Sequence, residues 1–161
     1  MTIAVIGKAD WTEVHAVQLQ AYPVELHESV VVLADKQRLG PDSCWCWREQ
    51  GGVLGYLLAH PWAGDAPPAW GLGGQQFTGE PDQLFLHDMA ILPAQRGKGI
   101  AAALLGQASR WALLQGIGHL RLVAVMGAHS YWERQGFAEV RGAPPLPAYY
   151  GEEAVLMGKA V

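Results

Sequence analysis

Apolar and polar positions divide the chain into alternating helical and extended stretches. Thr2 to Ile6 alternates as a short strand, and Trp11 to about Ala21 follows as a helix with Val14, Val17 and Ala21 on one side. Asp10 stands where it would cap this helix, and Pro23 ends it. A second helix is expected from about Leu26 to Leu39, before the turn signal Gly40-Pro41-Asp42. Ser43 to Arg48 and Val53 to His60 are β-rich, and Glu49-Gln50-Gly51-Gly52 joins them as a hairpin connection. Pro61 to Pro81 is rich in Gly, Pro and Ala and reads as a long loop. Its Gly71-Leu72-Gly73-Gly74 has no basic neighbour and no following helix, so it reads as loop and not as a phosphate site.

The second half predicts a central strand from Leu84 to Ile91, then a helix from about Gly97 to Leu114, carrying Leu104, Leu105, Ala108 and Trp111 and stopped by Gly116 and Gly118. A strand from Leu120 to Met126, a short helix through Tyr131 and Trp132, and two closing strands near Phe137 to Val140 and Ala154 to Lys159 complete a mixed α/β pattern. Side chains alternate across a regular strand. His87 is therefore expected to share a face with Phe85, Met89 and Ile91, and Asp88 to share the other with Leu86 and Ala90.

Chemistry concentrates in LFLHDMAILPAQRGKGIA, Leu84 to Ala101, where the apolar strand runs through a proline into a basic, glycine-spaced turn that opens an alanine-rich helix. The first N–H groups of a helix lack intrahelical partners and carry partial positive charge, so the backbone itself binds an anion there. Gly97 and Gly99 let phosphate oxygens approach the amides from Gly97 through Ile100 to Ala101, and Arg96 and Lys98 add charge.

This stretch resembles the signature of the GNAT superfamily of N-acetyltransferases, whose Q/R-x-x-G-x-G/A motif is met by Arg96-Gly97-Lys98-Gly99-Ile100-Ala101. The preceding Met89-Ala90-Ile91-Leu92-Pro93 and the downstream Trp132-Glu133-Arg134-Gln135-Gly136-Phe137 match two further family elements. The resemblance covers essentially the whole chain and is nearest to a bacterial small-molecule branch. It implies one acetyltransferase domain over residues 1–161, with a mostly antiparallel sheet of six to seven strands, splayed between the fourth and fifth and flanked by about four helices. It also implies acetyl-CoA as co-substrate, with its pyrophosphate on the glycine turn. The pantetheine arm would add as an extra strand to backbone groups of Met89 and Ile91 beside Ala90. Transfer would be direct, without a covalent enzyme intermediate.

Within that frame the general base falls on His87 or Asp88, the titratable residues of the central strand. Many family members carry a tyrosine four residues before the Gly-Phe pair as general acid. Trp132 stands there instead, alongside the acetyl-CoA site, while Tyr131 points about 100° away around a regular helix. Val125 occupies the place of the family's usual asparagine. Thiolate protonation thus falls to Tyr131, another hydroxyl or water. The family's acceptor pocket maps to the first helical hairpin and the last loop. Tyr22, Glu25, Glu28, Tyr149 and Tyr150 would there offer aromatic and carboxylate contacts to an amine. The leading expectation is acetyl transfer to a small primary amine such as an amino acid derivative, polyamine or amine toxin. A protein or peptide acceptor, and a CoA-binding sensor with weakened catalysis, are the alternatives.

The 161 residues are 50% hydrophobic and 16% charged, enough for one domain with a real core. A formal charge of −4 with scattered Lys and Arg gives no basic footprint for nucleic acid. The apolar runs are too short to cross a bilayer and no signal peptide is legible, so a cytoplasmic protein without a membrane partner is expected. Cys44 and Cys46, two residues apart in CWCW, read as packing residues on one strand face, and no metal-ligand spacing accompanies them or the six histidines. The seven tryptophans leave room for a homodimer through an aromatic surface patch.

Overall fold

The computed structural model describes residues 1–69 and 79–161, so the Gly71–Gly74 stretch lies outside the described residues. Its elements are β1 (Thr2–Val5), α1 (Trp11–Ala21), α2 (Val30–Lys36), β2 (Cys44–Glu49), β3 (Gly52–Trp62), β4 (Gln83–Ile91), α3 (Ile100–Leu114), β5 (His119–Ala124), α4 (His129–Arg134), β6 (Ala138–Glu139) and β7 (Val155–Ala160). Among the described residues these strands make one sheet in the order β1-β2-β3-β4-β5-β7-β6. All neighbours are antiparallel except β4 and β5.

The CWCW alternation sorts the core into two layers. Trp45 and Trp47 join Leu84, Leu86, Leu104 and Leu120 on the α3 side, and Cys44 and Cys46 join Val14, Val17, Leu33 and Tyr56 under α1 and α2. Both cysteines are free, and burial pushes the Cys44 thiol up to about 12. Of the six described tryptophans, Trp45, Trp47 and Trp62 are buried and Trp11, Trp111 and Trp132 are half-buried.

Three local expectations change. The expected second helix breaks into a 3-10 turn at Val24–Leu26, the α-helix α2, and a 3-10 turn at Gln37–Leu39. Ser29 starts α2 afresh by accepting from the Val32 N–H at 3.3 Å, because its side chain supplies the acceptor that the first turn lacks. Asp10 does not cap α1 with its side chain. Its carboxylate accepts instead from the Gly7 N–H at 2.7 Å and pairs with Arg48.

The third change sets the site. Along β3 and β4, Leu58 pairs with Asp88 but Ala59 pairs with Leu86, so His87 is an extra residue with no partner opposite. This is a β-bulge, which breaks the period-2 alternation. Leu84 and Leu86 before it and Met89 and Ile91 after it all face α3, while Phe85 and Ala90 face the other way. His87 therefore does not share a face with Met89 and Ile91, nor Asp88 with Leu86.

Candidate functional site

Beside the bulge the sheet opens. β4 and β5 pair only at Leu84 with Leu120 and Phe85 with Arg121. Beyond Phe85 the β5-facing edge of β4 lacks a ladder partner, leaving a cleft walled by Met89, Val123, Met126 and Trp132.

At the far end of β4 the chain makes a 3-10 turn at Pro93–Gln95 and enters α3 through Gly97 and Gly99. Their φ angles are +78° and +83°, in the left-handed region, and a Cβ at either position would meet nothing within 4 Å. Backbone conformation rather than crowding thus calls for glycine here. The first α3 bond among the described residues runs from the Ala103 N–H to the Gly99 carbonyl at 3.0 Å, which leaves the Ile100, Ala101 and Ala102 amides free of intrahelical partners. Arg96 donates to the Ala21 carbonyl at 3.2 Å and ties the turn to the end of α1; Lys98 donates to Gln95 at 3.0 Å. A groove of about 500 Å³ runs from this turn along Met89, Ala90 and Ile91 to Tyr131. Lys98 does not line it.

On the other side of the bulge lies a smaller chamber of about 80 Å³, walled by Gln18, Tyr22, Lys36, His87, Asp88 and Tyr150 among others. The bulge turns His87 and Asp88 into this one space. The Asp88 carboxylate accepts from the Tyr56 hydroxyl at 2.8 Å and from the Gln18 amide at 3.3 Å. The Tyr22 hydroxyl lies 3.0 Å from that carboxylate and 2.6 Å from the Met89 carbonyl. Burial, and then the Asp88 charge, hold both phenols well above their ordinary pKa, so they act as donors.

His87 lies beside His60 of β3, with Nδ1 3.3 Å from His60 Nε2. The other ring nitrogen, Nε2, is buried without a hydrogen-bond partner. Burial first, then Lys36 and His60, hold the His87 pKa well below its usual range. Burial likewise lowers His60 to about 4. Both imidazoles are therefore neutral near pH 7.

The remaining expected residues separate. Glu28 reaches the chamber wall but forms an ion pair with the buried Lys36. Tyr150 lines the chamber and donates to the Pro68 carbonyl at 2.6 Å. Glu25 and Tyr149 are exposed and line none of the described cavities, because the 3-10 turns that carry them direct them outward. Trp132 packs its ring 5.3 Å from Phe137 and lines only the cleft, whereas Tyr131 lines both cleft and groove. Four polar residues of the site escaped the sequence reading: Gln18, Lys36, Tyr56 and His60. The legible signal was a polar residue among apolar neighbours, as Gln18 is beside Val14 and Val17. Among the described residues no group of three His, Cys, Asp or Glu is placed to hold a metal ion, and no helix is long and apolar enough to cross a membrane.

Comparison with known proteins agrees with this architecture. Residues 11–137 match the family model described as "Acetyltransferase (GNAT) family". The chain belongs to that family and is an N-acetyltransferase by class. Solved structures similar in fold include Ard1 from Thermoplasma volcanium, with 18% identity, 99% of this chain and 97% of that one covered, and a TM-score of 0.74. The GNAT-like decarboxylase GphF in complex with isobutyryl-CoA is 19% identical, with 99% of both chains covered and a TM-score of 0.73. The ribosomal-protein-S18-alanine N-acetyltransferase from Escherichia coli is 18% identical, with 99% and 93% covered and a TM-score of 0.71. A comparison with curated proteins finds no match.

Proposed function

We propose that residues 1–161 form a single acetyltransferase domain that passes the acetyl group of acetyl-CoA directly to the primary amine of a small molecule, in a ternary complex. One observation carries this reading: the glycine-turn groove and the polar chamber both reach Tyr22, and the cleft that adjoins them runs past the bulge of β4. Phosphate at Arg96–Ala101 directs the rest of acetyl-CoA along the unpaired edge of β4, with its thioester at the bulge. An amine entering from the chamber meets the Asp88 carboxylate and the unpartnered His87 Nε2 there.

The reaction then needs three groups. The amine nitrogen forms its bond to the thioester carbonyl carbon, the C–S bond breaks, and the amine proton passes to His87 Nε2. Tyr131, on the cleft wall, or water returns a proton to the departing thiolate. Asp88 meets the ammonium form on arrival through its charge, and that ion releases one proton to solvent before the neutral amine attacks. The buried cysteines, with Cys44 held as a thiol, supply no nucleophile for a covalent intermediate.

A chamber of about 80 Å³ with Tyr150 on its wall suits a compact acceptor, such as an amino acid derivative, a polyamine or an amine toxin. A cytoplasmic bacterial enzyme with no nucleic-acid or membrane partner belongs to the same reading. The test is acetyl-CoA-dependent thiol release across small amines, amino acids, polyamines and lysine peptides, with calorimetric acetyl-CoA binding alongside. Turnover confined to small amines is expected. Turnover confined to peptides would replace the acceptor class, and tight binding without any turnover would make the protein a CoA sensor.

A further inference from the structure

The donor at one end of the two-histidine chain is fixed by chemistry alone. His60 Nδ1 lies 3.0 Å from the Pro61 carbonyl oxygen, and a carbonyl can only accept. Nδ1 of His60 therefore carries a proton. His60 is buried at 1% exposure among Trp62, Phe85 and His87, whose ring centroids lie 5.5–5.9 Å away, and the nearby charges of Lys36 and Arg38 oppose a second proton. With Nδ1 protonated and the ring neutral, His60 Nε2 is left with a lone pair and can only accept.

Its partner at 3.3 Å is His87 Nδ1, which must then be the donor. His87 is also buried beside Lys36, whose ion-pair partner is Glu28, so a second proton on this ring is opposed as well. Asp88, the adjacent carboxylate, is engaged by Tyr56, Tyr22 and Gln18. Nε2 of His87 is consequently an unprotonated acceptor, and it is the nitrogen buried without a partner on the chamber wall. A buried polar atom left unpaired costs free energy, which a ligand N–H recovers.

We propose that His60 is a positioning residue: by accepting from His87 Nδ1–H it locks the tautomer in which His87 Nε2 receives the proton of the acceptor amine. This rests on the acetyltransferase reading for its catalytic consequence, but the tautomer itself does not. A free imidazole exchanges tautomers, and the other one would donate its N–H to the lone pair of the incoming amine and offer no acceptor for the amine's proton. His87 stays on the face of Phe85, which pairs with His60 across β3 and β4, and the bulge turns Asp88 to that same side.

The experiment is long-range 1H–15N correlation NMR on histidine-labelled enzyme at pH 7.5, with signals assigned through His60→Gln and His87→Ala. In wild type both buried rings should show pyrrole-like Nδ1 and pyridine-like Nε2. His60→Leu removes the acceptor, so His87 should shift toward the Nε2–H form, and kcat should fall by no more than the roughly 10²–10⁴-fold that a general base contributes. His60→Gln offers an N–H to Pro61 and an oxygen to His87, and should restore the tautomer and most of kcat. The Kd for acetyl-CoA should stay the same in all three.

A protonated Nε2 on His87 in the wild-type enzyme would overturn the proposal. This readout needs no variant and stands even if His60→Leu fails to fold. An unchanged His87 tautomer in a folded His60→Leu would overturn it too. Because the nitrogen shifts are read without turnover, an enzyme inert toward every amine would sink the acetyltransferase reading while the shifts still decide the relay.

Discussion

Tyr22 and Asp88, 66 positions apart in the sequence, meet with the phenol oxygen 3.0 Å from the carboxylate and 2.6 Å from the Met89 carbonyl. One side chain from the end of α1 thus touches the chamber, the cleft and the groove. Tyr22→Phe removes this donor and little else. It should cost about 1 kcal/mol of stability and raise KM for the acceptor. Urea unfolding with steady-state kinetics checks both, and an unchanged acceptor KM would take Tyr22 out of the acceptor site.

Asp88→Asn keeps the shape but turns one acceptor oxygen into a donor facing the Tyr56 and Tyr22 hydroxyls and the Gln18 amide. At least one buried polar group then loses its partner, at a cost of roughly 1–3 kcal/mol. The expected outcome is a lower melting temperature together with weaker binding of a cationic acceptor. Full retention of both would mean that the carboxylate is not the ammonium contact.

The glycine turn separates charge from conformation. Asn and Asp tolerate the left-handed conformation of Gly97 about equally, so Gly97→Asn reports the cost of a side chain and Gly97→Asp adds a negative charge at the same φ of +78°. Calorimetry should show Gly97→Asp binding acetyl-CoA at least roughly tenfold more weakly than Gly97→Asn, since about 1.4 kcal/mol of repulsion suffices for a factor of ten. Equal affinities would move the pyrophosphate away from this turn.

The histidine pair predicts a pH dependence of stability. His60 has a pKa of about 4 in the fold against an ordinary 6.5, and His87 is lowered in the same direction. Below pH 6.5 the unfolded chain takes up protons that the native state refuses. Stability is therefore complete above that pH and falls as pH drops toward about 4, by up to roughly 1.4 kcal/mol per pH unit for each group. Urea unfolding at pH 6.5 and 5.0 should show a smaller loss in His60→Gln than in wild type; equal losses would contradict the buried neutral state of His60.

His87 as the base must be unprotonated to act, and its lowered pKa keeps it so well below pH 6.5. Dividing wild-type kcat/KM by that of His87→Ala cancels the titration of the acceptor amine. The ratio should stay level from pH 8 to 6 and decline only in more acidic solution. A decline already under way between pH 8 and 7 would assign the base to another group.

The glycine turn was legible in the sequence because its chemistry is local: Arg96 to Ala101 are contiguous, and strand, turn and helix follow in order. The CWCW strand was legible for the same reason, since alternation alone sorts Trp45 from Cys46. The bulge was not. Leu84-Phe85-Leu86 and Met89-Ala90-Ile91 each read as regular strand, and nothing in their composition marks His87 as the extra residue between them. The chamber was hidden for a related reason: Gln18, Lys36, Tyr56 and His60 come from α1, α2 and β3, and only the packing of α1 and α2 on the sheet together with the register of β3 on β4 brings them to Asp88 and His87. The break before α2 was masked because the apolar run from Val30 to Leu33 extends the helical pattern back across the cap at Ser29.

The most direct test of the central claim is to incubate the enzyme with [1-13C]acetyl-CoA and a small primary amine, then weigh both the products and the intact protein by mass spectrometry. One labelled N-acetyl amide is expected for each CoA released, with no acetyl group on the protein at any time. A labelled acetyl-enzyme that forms and decays with turnover, or CoA release without amide, would contradict direct transfer at the bulge of β4.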